Sequence, residues 1–169
     1  MEAATSTTKS SRRDSELALK LGAFLLRCMG GASSEVFRVI DDSGLTFSQM
    51  KVLVELDSPD EDARTVTALS EELGISPASA SRAADGLVRK KLATRVEDPD
   101  DRRVRRLALT SRGRGLADRI ISARLAGLEE FTASLASDER KKLEAALEAL
   151  LKRPEVAEIY ANYERKVSR

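Results

Sequence analysis

The 169-residue sequence predicts a mainly α-helical fold carrying one small β-hairpin. Three observations predict it. Apolar residues recur at three- and four-residue steps over most of the chain, a helix–turn–helix spacing sits at its centre, and after Lys91 the periodicity switches once to short runs containing Val and Thr. With 41% hydrophobic and 34% charged residues, the chain can bury a core and still carry solvated charged faces, which excludes wholesale disorder.

Met1 to Arg13 is small, polar and basic, and it is read as a disordered arm without the apolar run of a signal peptide. Leu17, Leu21, Leu25, Cys28, Ala32, Val36 and Ile40 then form the stripe of a long amphipathic helix from about Asp14 to Asp41, ended by Asp42, Ser43 and Gly44. Thr46 with Gln49 three residues later is a capping-box pattern, and it opens a short helix with Phe47, Met50, Leu53 and Leu56 on its apolar stripe. Ser58 to Asp62 reads as a loop. Thr65 caps a third helix that turns Val66, Leu69 and Leu73 inward and stops at Gly74; Ser76 caps a fourth, with Pro77 in its first position. Helix, short turn and helix over Thr65 to Lys90 make a helix-turn-helix unit.

Ala93 to Glu97 and Val104 to Leu109 read as two strands joined by the polar segment Asp98 to Arg103, a hairpin that would form a wing. Thr110 starts a further helix carrying Leu116, Ile120, Leu128, Phe131 and Leu135 to about Ala136. Ser137 caps the next, with Leu143, Leu147 and Leu150 inward, and after the break at Pro154 a last helix carries Val156, Ile159, Tyr160 and Tyr163. The fold class is therefore a winged helix-turn-helix flanked by long helices. Apolar stripes on separate termini need a partner surface, and a second copy of the chain supplies one most simply. This divides the chain into an arm (1–13), an N-terminal dimerisation helix (14–45), a winged helix-turn-helix (46–110) and C-terminal dimerisation helices (111–169).

Composition removes several kinds of chemistry. The chain has no histidine and one cysteine, Cys28, so His-based catalysis, Cys–His pairs and His- or Cys-rich metal sites are excluded and no intrachain disulfide can form. No apolar stretch is long enough to span a bilayer, and a cytoplasmic location is expected. Aromatics at 4%, with no Trp, argue against binding by base stacking. No cofactor is expected.

The net charge of +1 is uninformative, but its distribution is not. Arg89 to Arg114 holds ten basic residues against four acidic ones, whereas Glu55 to Glu72 is mostly acidic. On the fourth helix Ala80, Ala84 and Leu87 would face the core, leaving Ser79, Arg82 and Arg89 at helical spacing on another face. Ser76, Pro77, Ala78, Ser79 and Ser81 are small enough to bring the helix start close to a duplex, where its amides can receive a phosphate. Arg82 is the first candidate for a base contact, as the usual bidentate reader of guanine. Outside a helix-turn-helix, Arg82 and Arg89 would read as ordinary solvated charges.

In the hairpin tip, Asp98-Pro99-Asp100-Asp101-Arg102-Arg103, Asp101 can accept hydrogen bonds from Arg103 and fix its guanidinium where it could enter a narrow minor groove. Arg102 and Arg105 join the same surface. The plain alternative is a polar turn, where Asp and Pro are common for backbone reasons. Two other functions fit some of these residues. A winged helix can serve as a protein-interaction module without DNA binding. Asp98, Asp100 and Asp101 could hold Mg²⁺ or act as acid and base, but interleaved arginines favour ion pairing and no nucleophile or phosphate-cradling loop accompanies them, so an enzyme is not expected.

Leu69-Ser70-Glu71-Glu72-Leu73-Gly74-Ile75-Ser76, Gly86-Leu87-Val88 and above all Asp98-Pro99-Asp100-Asp101-Arg102-Arg103 followed by Leu107-Ala108-Leu109-Thr110 resemble the MarR family of bacterial regulators. The resemblance covers about Thr46 to Gly115. It implies a triangular homodimer with interlocked terminal helices and two winged helices reading adjacent major grooves of a pseudo-palindrome. Arg103 would enter the minor groove, oriented by Asp101. It further implies a repressor released by a small phenolic or lipophilic effector bound between the lobes, with walls from the first, second and fifth helices. Metal-sensing relatives use His ligands, which this chain lacks. Peroxide-sensing relatives carry a reactive Cys near the start of the first helix with tyrosines nearby. Cys28 instead lies deep in the apolar stripe with no Tyr before residue 160, and it reads as a buried small hydrophobe.

Overall fold

The computed structural model describes residues 3–57, 63–98, 101 and 103–168, with side-chain surroundings defined outside 3–12 and 28–34. Helix α1 spans Ala3–Ser43, followed by α2 (Phe47–Leu56), β1 (Ala63–Thr65), α3 (Val66–Glu72), α4 (Pro77–Arg89), β2 (Ala93–Glu97), β3 (Arg105–Leu109), α5 (Ser111–Ser134), α6 (Ser137–Leu150) and α7 (Pro154–Val167). α1 opens well before Asp14, because the segment read as an arm contains neither Gly nor Pro and nothing in it terminates a helix. The surroundings of Cys28 and the expected loop Ser58 to Asp62 lie outside the described residues. Among those residues, no helix is long and apolar enough to cross a membrane.

The helix ends follow from their cap residues. Thr46 Oγ1 accepts from the Gln49 amide while the Gln49 side chain accepts from the Thr46 amide, so both halves of the expected capping box are in place. Thr65, Ser76 and Thr110 cap α3, α4 and α5 through their side-chain oxygens. α6 departs from expectation. Its N-cap is Ala136, whose amide donates to Glu139, and Ser137 is already the first helical residue. Gly44 and Gly74 take positive φ just past α1 and α3, and in both places the following amide closes back onto the helix, Leu45 to Ile40 and Ile75 to Ser70. The third such closure, Leu92 to Leu87 after α4, places Lys91 at φ 58°.

The sheet has three antiparallel strands in the order β1-β3-β2. β2 and β3 form the expected hairpin, with Ala93 opposite Leu109 and Glu97 opposite Arg105. The sequence did not announce β1, which pairs Ala63 to Thr65 with Arg106 to Ala108 more than forty residues away.

The core lies under α2, α3, α4, the sheet and the first half of α5, where Val52, Leu53, Leu56, Leu69, Leu87, Leu107 and Ile120 are enclosed. At about 1.5–3 kcal/mol for each fully buried aliphatic side chain, this set is the main stabilising element of the lobe. Phe47 is the exception on α2: it was expected inward, but it occupies the first helical position and is 70% exposed. α1 packs chiefly along α5, where the rings of Phe24 and Phe131 meet edge to face at 5.4 Å. α6 and α7 bury no residue, and Leu147 and Leu150, expected inward, are each 49% exposed because among the described residues no other element covers them.

Candidate nucleic-acid interface

Ser76, Pro77 and Ala78 begin α4 in the open, and the residues behind them are small: Ala80, Ala83, Ala84 and Gly86 are buried against the core together with Leu87. This inner face lets α4 sit close to α2. A Cβ at Gly86 would collide with the Gln49 side-chain amide. On the outer face the hydroxyl of Ser79, half-buried, accepts from Ser76 at 2.9 Å and from Arg82 Nη2 at 3.2 Å. Arg82 and Arg89 are exposed two turns apart, roughly 10 Å along the axis. Ser81 is half-buried beside them.

The hairpin tip is organised by Asp98, a buried carboxylate. Its Oδ1 accepts from the Asp101 amide at 3.1 Å, and its Oδ2 accepts from Arg106 Nε in a close ion pair. Arg106 also donates to the Ala63 carbonyl at 3.3 Å, so one guanidinium ties the base of the wing to β1. Asp101 accepts from Arg103 at 2.9 Å, but the donor is the backbone amide of Arg103, not the guanidinium the sequence suggested. The carboxylate therefore fixes the chain at the tip and leaves the Arg103 side chain exposed. Arg102, Pro99 and Asp100 lie outside the described residues. Both oxygens of Asp98 are thus engaged by donors.

Three of the arginines counted in the basic excess are neutralised. Arg95 pairs with Asp85 of α4 at 2.6 Å, Arg105 with Glu97 across the hairpin at 3.1 Å, and Arg106 with Asp98. Arg105 thus stays exposed but is paired with a carboxylate. Among the described residues, Arg82, Arg89 and Arg103 have no carboxylate partner. Neither the Asp85–Arg95 clamp nor the Asp98–Arg106 anchor could be read beforehand, because both join residues on different elements.

A cavity of about 660 Å³ lies between the end of α2, α5 and α7. Ile121, Leu125 and Val167 give it an apolar wall, and Arg114, Asp118 and Lys166 a charged one. Lys166 Nζ also donates to the Val54 carbonyl at 3.0 Å, holding α7 against α2. Close by, burial pushes the Tyr163 phenol above its ordinary pKa, an effect opposed by Arg124 and reinforced by Glu129.

Residues 43–104 match the sequence profile of the MarR family. No curated protein matches the chain significantly. Among solved structures, RV1404 from Mycobacterium tuberculosis is 25% identical with a TM-score of 0.63, over 90% of this chain and 94% of that one. A MarR transcriptional regulator from Methanosarcina mazei Go1 is 26% identical with a TM-score of 0.58, over 81% and 95%. A mutant MepR from S. aureus bound to an oligodeoxyribonucleotide is 22% identical with a TM-score of 0.58, over 77% and 95%; at that identity the likeness is one of fold.

Proposed function

We propose that this chain, whose residues 43–104 match the sequence profile of the MarR family, is a DNA-binding transcriptional regulator of that family that grips a pseudo-palindromic operator as a homodimer. The observation that carries the reading is the selective neutralisation of its arginines. Cations behind the interface, Arg95 and Arg106, are paired with carboxylates, whereas Arg82, Arg89 and Arg103 on α4 and the wing tip are left for an external anion. Arg82 reads a base edge in the major groove, the amides and hydroxyls of Ser76 and Ser79 approach the backbone, and Arg103 enters the minor groove from a tip held by Asp101 and Asp98. The MepR mutant, similar in fold, is bound to an oligodeoxyribonucleotide, which supports DNA as the partner.

Residues 14–45 and 111–169 supply the dimer scaffold and 46–110 the reading head. The exposed stripe Leu17, Leu21 and Leu25 on α1, with Leu147 and Leu150 on α6, is the surface a second copy would cover. Two heads must then stand about one helical turn apart, roughly 34 Å, to engage both half-sites. The reading extends to a cytoplasmic repressor released by a small lipophilic or phenolic ligand. Such a ligand lowers DNA affinity by its preference for a dimer of different spacing, and the cavity between α2, α5 and α7 has an apolar wall suited to it.

The test is binding-site selection on random duplexes, followed by fluorescence anisotropy across a salt series. Affinity should fall steeply with salt. Arg103→Ala should weaken binding to every sequence, and Arg82→Ala should lower affinity by about 1–3 kcal/mol and relax preference at one position. A monomeric protein, or one indifferent to duplex DNA at low ionic strength, would overturn the proposal in favour of a protein-interaction module.

A further inference from the structure

A second cavity, of about 650 Å³, lies at the opposite end of α4 from Ser76, between the end of α1, the turn after α4 and the first turns of α5. Its floor is apolar, with Leu92 and Leu116 buried, and its wall carries Lys90, Arg112 and Arg119 against one carboxylate, Asp42. Arg112 and Arg119 are two turns apart on one face of α5, roughly 10 Å along the axis. Among the described residues neither makes a hydrogen bond or an ion pair. Lys90 Nζ reaches only the Ser43 carbonyl, at 3.4 Å, so most of its donor capacity is unused. Elsewhere in the lobe, among the described residues, Arg64, Arg95 and Arg106 are paired with carboxylates, whereas Arg112 and Arg119, like Arg82, Arg89 and Arg103, are not.

Gly115 supplies an independent observation. It lines the cavity on the same face as Arg112 and Arg119, in the interior of a helix where glycine is unfavourable. A Cβ there would meet nothing within 4 Å. Two residues earlier Gly113 is required, because its Cβ would strike the Leu92 carbonyl; no such neighbour accounts for Gly115. A bare stretch of backbone between two unpaired guanidiniums fits a group that must approach the helix closely.

We propose that this cavity is a binding site for a polyanion with at least two phosphoryl groups, one held by Arg112, one by Arg119, with Lys90 adding charge and Gly115 giving room. A guanidinium fork matches phosphate oxygens bidentately, and the two-turn spacing calls for charge at both ends of the ligand. The same chemistry can come from a free polyphosphate or from consecutive phosphates of a nucleic-acid backbone passing the lobe. The site does not depend on the roles given to Arg82 and Arg103.

The test uses the full-length chain, titrated calorimetrically with inorganic tripolyphosphate without DNA, alongside Arg112→Gln/Arg119→Gln and Gly115→Leu. If the ligand is free, wild type saturates and both variants lose at least tenfold in affinity, while Gly115→Leu keeps or raises the melting temperature. If the source is a nucleic-acid backbone, tripolyphosphate does not saturate. The salt slope of duplex binding then falls by about four per homodimer in the double variant, two phosphate contacts being removed from each protomer, and Gly115→Leu weakens duplex binding too. Tripolyphosphate binding that survives in both variants, or a double variant unchanged in both readouts, overturns the site. So does a Gly115→Leu variant altered only in its dimer dissociation constant, which would assign the bare backbone to a second copy.

Discussion

Between α2 and the middle of α5 the chain encloses its own apolar residues: Val52, Leu53, Leu69, Leu87 and Ile120 are at most 1% exposed. In the outer helices the same residue types face out. Leu19 is 75% exposed and Ile159 70%, and neither α6 nor α7 buries a residue. Both regions have helical apolar periodicity, so periodicity alone does not tell a core from an interface. What differs is whether elements of the same chain lie opposite the stripe. The reading head closes on itself, whereas α1 packs chiefly along α5, and α7 touches α5 and, through Lys166, α2.

The largest expected effect sharpens that contrast. Leu53→Ala removes a fully enclosed side chain and should cost about 2–5 kcal/mol in urea denaturation, since the surrounding core can only partly collapse. Leu25→Ser, at a position 50% exposed, should leave the spectroscopic signature of the fold intact and raise the dimer dissociation constant about tenfold or more in sedimentation equilibrium. If the two variants lost fold stability equally at high protein concentration, the division between self-closed lobe and partner-dependent scaffold would fail.

A second comparison lies within the lobe. Gly113, in the first turn of α5, faces the Leu92 carbonyl, a backbone group that cannot rotate away from an added Cβ, whereas Gly86 faces the end of the Gln49 side chain, which can. Gly113→Ala should therefore destabilise by about 1–3 kcal/mol through overpacking, and Gly86→Ala by less. Thermal melts of the two variants rank them directly; equal losses would mean that the Gln49 capping box is as rigid as the backbone.

What the sequence made legible is local chemistry. Thr46 with Gln49, Thr65, Ser76 before Pro77, Gly44 and Gly74 each act within a few residues, and each stands where its side chain or missing Cβ demanded. Several features escaped because their partners are distant. β1 is three residues whose only reason to be extended is pairing with β3. Asp85–Arg95 and Arg106 to the Ala63 carbonyl exist only once α4, β1 and the wing are assembled. Phe47 satisfies the apolar spacing of α2 yet lies at its exposed start, since two turns of pattern leave the facing side ambiguous. At the wing, Asp101 and Arg103 were correctly associated, but spacing cannot say whether an amide or a guanidinium donates. The arginines proposed for DNA contact rest on that same local reasoning, which reaches no further than the residues around them.

The smallest expected effect concerns a conformation that no sequence signal announced. α3 and α4 end with the same closure, the residue two past the cap returning its amide to the helix, but the left-handed position is Gly74 in one and Lys91 in the other. An L side chain in that region crowds the following carbonyl at a cost of about 1–2 kcal/mol, which glycine avoids. Glycine also has more backbone freedom to lose on folding, so the net gain from Lys91→Gly should be smaller, about 0.5–1 kcal/mol. A rise of a few degrees in melting temperature, with duplex affinity nearly unchanged because Lys91 stands at the far end of α4 from Ser76, would equate the two helix ends. A fall would show that the Lys91 side chain contributes something that the Gly74 turn does without.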